Sequence, residues 1–208
     1  MLWSITALIE IAKQWVLDTY KHNSLHLINS LEWLDRLAPD APEPVRLATV
    51  THDMERAFPG PDMPVWNGDE DYHYYVAHSN RSARIVGAWL REQGASADLI
   101  SSVEALIEVH EFGGWPEADL VQAADSLSFL DVNVDLFLGY VTTGKFTPEQ
   151  VQAKFTYSHT RIRIDWVKEL SAPMLSRAGK RLADLLAGPT FAPAPANRKS
   201  SSHPGSFS

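Results

Sequence analysis

Four histidines and two aspartates stand where apolar residues dominate their surroundings. His26 lies between Leu25 and Leu27, and His52-Asp53 ends the run Val45-Arg46-Leu47-Ala48-Thr49-Val50. His78 follows Val76-Ala77, His110 follows Val109, and Asp125 follows Ala123-Ala124. Imidazole nitrogen and carboxylate oxygen are the donors of metal sites, and with no cysteine in the chain a thiolate site is excluded. An ionised carboxylate facing a helical core costs several kcal/mol unless it is paired or metal-bound, which singles out Asp125. Adjacent helical residues point about 100° apart, so His52 and Asp53 reach one small target only near a helix end.

The elements that must position these residues all read as helices. Ile5, Leu8, Ile9, Ala12, Val16 and Leu17 have helical spacing. After Tyr20-Lys21-His22-Asn23, Ser24 caps a second helix with Leu27, Ile28, Leu31, Leu34 and Leu37 on one face. Pro42 and Pro44 open a third, which leads into His52-Asp53. Prolines make 58–68 a stiff loop, and Trp66 suits it to be a wall or lid. A fourth helix is expected over 69–93, stopped by Gly94, and a fifth from Ser96 to Phe112, stopped by Gly113-Gly114. Pro116 begins a sixth that passes Asp125 and continues beyond Phe129. Thr147-Pro148-Glu149 starts a seventh carrying Lys154, and a last helix is expected over 159–186. No stretch alternates with period two. The expectation is an all-α, bundle-like domain of about eight helices over residues 1–186. A Pro-, Ala- and Ser-rich tail over 187–208 is expected to be disordered. Trp3, Trp15, Trp33, Trp89 and Trp166 are expected in the core, while Trp66 and Trp115 sit in loop settings where they can stack on a ring.

Composition narrows the class of function. The net charge of −8 argues against nucleic acid as a partner. No apolar run is long enough to span a bilayer, and the first residues lack a signal-peptide pattern, so the expected location is the cytoplasm. Charge is unevenly spread. Residues 1–144 carry 8 Lys and Arg against 22 Asp and Glu, and residues 145–181 carry 8 against 3. Such a basic segment can fold back over a metal site to meet a small anionic substrate.

The order H…HD…H…H…D, with 26 residues from His26 to His52 and 15 from His110 to Asp125, resembles the HD-domain superfamily of metal-dependent phosphohydrolases over about residues 20–140. The resemblance implies that His26, His52, Asp53 and Asp125 hold one divalent ion. In two-metal members Asp53 would bridge to a second ion held by His78 and His110. Such a nitrogen-oxygen site accepts Fe, Mn, Co, Ni or Zn. The implied activity is hydrolysis of a small phosphate ester, such as a nucleotide, by metal-activated water. A phosphate also needs cations for its oxygens. Arg81, Lys154 and Arg161 are the expected phosphate ligands, ahead of Arg56, Arg84 and Arg163. Where many members continue HD with Gly-Lys, this chain has Met54-Glu55-Arg56. The alternative is a di-iron HD-domain oxygenase using O2. His22 is a weaker candidate than His26 for the first ligand, His73 and His159 are expected outside the ligand set, and Ser126 is a possible partner of a ligand.

Overall fold

The computed structural model describes residues 5–66 and 71–188, with side chains from residue 7 onward. Helix α1 (Ile5–Thr19) buries Leu8, Ile9, Ala12 and Val16 of the expected stripe, while Leu17 is 46% exposed and the Ile5 side chain lies outside the described residues. Helix α2 (Ser24–Leu37) buries His26, Leu27, Leu31 and Leu34 on one side. Helix α3 (Glu43–Thr51) carries Pro44 in its first turn and is buried from Leu47 to Thr51. One turn of 3-10 helix, Met54–Ala57, follows directly.

Helix α4 (Tyr72–Glu92) is capped by the Asp71 carboxylate, which accepts from the Tyr74 N–H at 2.9 Å. Helix α5 (Ala97–Glu108) is capped by Ser96 in the same way. Helix α6 (Pro116–Val132) is followed by α7 (Val134–Thr142), α8 (Pro148–Thr160) and α9 (Asp165–Ala187). A full capping box starts α8: Thr147 accepts from the Gln150 N–H while the Gln150 side chain accepts from the Thr147 N–H.

Helix α6 organises the packing. From Val121 to Leu130 it is buried without interruption, so it is enclosed on all sides. Its front, with Ala118, Val121 and Ala124, belongs to the core formed by α1 to α5. Its rear, with Ala123, Leu127, Phe129 and Leu130, belongs to a second core with α7, α8 and α9. Small residues on α6 let α2 pack closely along it. Asp125 therefore lies in the wall between two apolar cores, where an uncompensated charge is not tolerated.

The protein is all-α, and the described residues hold nine helices because the expected sixth helix breaks at the buried Asn133. The expected last helix over 159–186 starts instead at Asp165, and His159 belongs to the end of α8. The chain turns between them so that Arg161 and Ile162 point inward, to 7% and 2% exposure. The fifth helix stops at Glu108, and His110-Glu111-Phe112 form turns ahead of Gly113, whose φ of +65° suits glycine. The expected start of the fourth helix at Asp69 lies outside the described residues, as do Trp3, His203 and the tail from 189 onward. Trp166 is 54% exposed, not core, because it faces outward from the first turn of α9. No helix among the described residues is long and apolar enough to cross a membrane.

Candidate metal centre

Each of the four predicted histidines is fixed through Nδ1. His52 Nδ1 donates to the Thr49 carbonyl at 2.9 Å and His110 Nδ1 to the Ile107 carbonyl at 2.7 Å. A carbonyl only accepts, so Nδ1 carries the hydrogen in both and Nε2 turns inward. The Ser128 hydroxyl donates to the His26 carbonyl, so its oxygen accepts from His26 Nδ1 at 2.9 Å. His78 Nδ1 donates to Glu55 Oε1 at 2.9 Å. Metal-binding imidazoles are held in this way, with one nitrogen anchored and the other free to bind.

The Nε2 atoms meet two aspartates. Asp125 Oδ1 lies 3.1 Å from His26 Nε2 and 3.4 Å from His52 Nε2. Asp53 Oδ1 lies 2.9 Å from His78 Nε2 and 4.0 Å from His110 Nε2. The other oxygen of each aspartate is held by an arginine: Asp125 Oδ2 by Arg161, and Asp53 Oδ2 by Arg56 Nε at 3.0 Å. Glu111 turns Oε1 towards His110 and His78, at 3.8 and 4.0 Å, and gives Oε2 to Arg161 and the Tyr157 hydroxyl. Three triplets have ligand atoms within 4.8 Å of one another: His26-His52-Asp125, His52-Asp53-His110 and His78-His110-Glu111. They form a row, with His52 and His110 shared between neighbours.

The electrostatics favour a cation in this row. His52 Nε2 and His110 Nε2 are buried without a hydrogen-bond partner, and what surrounds them is carboxylate oxygen. Lone pairs facing lone pairs are stable only around a proton or a metal ion, and an unmatched buried polar atom costs about 1–3 kcal/mol. Burial pushes His52 towards its neutral form, but Asp125 outweighs it and lifts the pKa to about 9 in the absence of metal. Burial, reinforced by His52, pulls His110 down to about 4, which leaves its Nε2 bare. Burial alone would raise Asp53 and Asp125, yet Arg56 and Arg161 hold both well below the usual carboxylate range. Both aspartates are thus ionised and ready to bind a cation.

Above the row lies a cavity of about 230 Å³ whose floor includes His26, Asp53, Asp125 and Glu111. Arg56, Lys145, Lys154 and Arg161 line it, and Trp66, Phe137, Tyr140 and Phe146 form an aromatic wall. All six residues of the predicted ligand set come together in the row beneath it. Of the three expected phosphate cations, Lys154 and Arg161 reach the cavity. Lys154 Nζ lies 4.9 Å from the centre of the Tyr157 ring, and Arg161 is also tied to Ser126 at 2.8 Å. Arg81 does not line it. Its guanidinium faces the back of the 3-10 turn, donating to the Glu55 carbonyl and carboxylate, the Phe58 carbonyl and Asp62. Arg81 therefore holds Glu55, which holds His78. Arg84 and Arg163 are largely exposed and pair with Asp62 and Asp119. His22 lines the cavity beside Tyr20, while His73 is exposed and His159 bonds Ser171.

Glu55 and Glu111 were not among the expected site residues. Glu55 was visible only as a departure from the Gly-Lys pattern. Glu111 sits in a turn, where no helical periodicity shows which way it points. No curated protein and no solved structure matches the chain. Residues 12–159, which include all six of the predicted ligands, match the family described as Domain of unknown function (DUF4202), and the chain belongs to that family.

Proposed function

We propose that the chain is a metal-dependent phosphohydrolase of the HD type, acting on a small phosphate ester. The observation that carries this reading is the set of four imidazoles anchored at Nδ1, with Nε2 and carboxylate oxygens converging beneath a cavity lined by cations. His26, His52 and Asp125 would hold a divalent ion, with Asp53 and His110 next in the row. Such an ion supplies a water acidified from about 15.7 towards about 7 and a Lewis acid for a phosphoryl oxygen.

The chain's own residues do the rest. Ser128, Thr49 and Ile107 fix the imidazole orientations, so little rearrangement is needed when substrate arrives. Arg161 aims Asp125 and Glu111 by holding one oxygen of each. Lys154 and Lys145 supply positive charge on the cavity wall for non-bridging phosphate oxygens, and the aromatic wall takes the organic part of the ester. The partly enclosing wall limits water near the reacting phosphorus, which strengthens every charge contact there.

The test is turnover of p-nitrophenyl phosphate, bis-p-nitrophenyl phosphate and nucleoside monophosphates with Mn, Co, Fe, Ni or Zn. Turnover is expected with at least one ester, lost on chelation and lost in Asp125→Ala. No hydrolysis of any ester under any of these metals, or hydrolysis untouched by chelation, would sink the reading.

A further inference from the structure

We propose that this chain holds a single divalent ion, at the His26-His52-Asp125 end of the row, because the Arg56 guanidinium takes the place of a second cation at the His78-Asp53 end. The inference rests on the metal-site reading above and deepens it.

Distances alone would admit two ions, since His78, His110 and Glu111 also bring ligand atoms within 4.8 Å of one another. The surroundings of His78 argue against the second. Both its nitrogens face carboxylates at 2.9 Å, Nδ1 towards Glu55 and Nε2 towards Asp53. An ion at Nε2 would have to displace the Asp53 contact with the Arg56 guanidinium alongside. Arg56 Nη2 lies 3.5 Å from the same Nε2, and Arg56 Nε holds Asp53 Oδ2. The guanidinium carbon also lies 5.9 Å from the centre of the Tyr74 ring, and that ring stacks on His78 with planes 4° apart. A positive charge is thus built in beside the nitrogen and the carboxylate that a second ion would need.

The first end is different. Two imidazole nitrogens converge on one oxygen of Asp125, and one of them, His52 Nε2, has no hydrogen-bond partner. One ion at this end leaves Arg56 and Arg161 each on its own aspartate, whereas a second would sit against the Arg56 guanidinium in a buried setting. A single ion also sets the chain apart from an O2-using di-iron pair.

The experiment is titration of the metal-free full-length chain with Co2+, read by visible absorption and by elemental analysis after gel filtration. The expected counts are one Co2+ per chain for the natural sequence and two for Arg56→Met, whose second ion binds at least 100-fold tighter than any second ion in the natural chain. His78→Gln should leave the natural count at one, and should return the Arg56→Met count from two to one. Two ions in the natural chain would overturn the inference and leave the hydrolase reading standing. A count of one in an Arg56→Met protein of native helical content would also overturn it. Should Arg56→Met fail to fold, His78→Gln alone decides: a count that stays at one upholds the inference, and a count that falls to zero overturns it. No Co2+ bound to the natural chain would instead defeat the metal-site reading itself.

Discussion

The two ends of the ligand row are assembled from the same parts and connected differently. Each has an aspartate with one oxygen turned inward and the other held by an arginine. At the Asp125 end the arginine is Arg161, 7% exposed, which also holds Glu111 and Ser126. The imidazoles there are anchored by a hydroxyl and a backbone carbonyl. At the Asp53 end the arginine is Arg56, 31% exposed, and it leans towards His78, which is anchored by a second carboxylate. His26 and His52 each meet one carboxylate, Asp125, whereas His78 stands between two, Asp53 and Glu55, with a guanidinium beside it. Identical residue types can thus form a metal site at one end and an ion-pair network at the other.

The largest expected effect is on metal content. Asp125→Ala should drop bound Co2+ and activity below detection, whereas His78→Gln should keep its ion. Equal losses from both would erase the difference between the ends. Next comes stability. Arg161→Met strands two buried carboxylates and should cost about 3–5 kcal/mol in urea unfolding. Arg56→Met, partly solvated and facing one carboxylate, should cost about 1 kcal/mol.

The His52–Asp125 contact predicts a pH dependence that separates metal-free from loaded protein. His52 has a folded pKa raised to about 9 from 6.5. Its contribution to the metal-free fold is therefore fully present below pH 6.5 and is lost as pH rises through about 9. The loss is about 3 kcal/mol at 1.36 kcal/mol per unit, visible in melts of chelated protein. Loaded protein should show no such fall, because the ion replaces the proton. A smaller effect is expected at the anchors. Ser128→Ala frees His26 Nδ1 and should weaken Co2+ binding about 10-fold, while Glu55→Gln, which acts at the other end, should leave that affinity unchanged. Of the same size is Lys154→Met, expected to raise KM for the ester about 10-fold with bound metal unaltered.

Much of this site is legible in the sequence. His26, His52, His78, His110 and Asp125 each stood among apolar neighbours, and the cost of burying polar groups makes such residues conspicuous. Their convergence was implied by the HD-like order, and the helices that carry them follow from apolar spacing, caps and prolines. Arg81 shows where this kind of reading stops. A cation three residues from His78 on α4 was expected to reach substrate, yet it points into the turn at Met54–Ala57 and supports Glu55. Helical spacing gives the direction of a side chain but not what lies there. Glu111 shows the same limit from the other side, since the turn that aims it has no period to read.

Residue types and order were enough to make the protein all-helical, to exclude thiolate chemistry and to nominate six metal-ligand candidates. Those properties depend on local pattern and burial cost, which are written along the chain. His52, His110 and Asp53 are held by partners three positions away, within reach of local structure. Which nitrogen of His26 and His78 faces inward, which oxygen of Asp125 is left free, and whether Arg56 or an ion stands beside His78 depend on contacts between residues 22 to 102 positions apart. Packing between helices decided these, because hydrogen-bond partners are chosen by distance in space and not by distance along the chain.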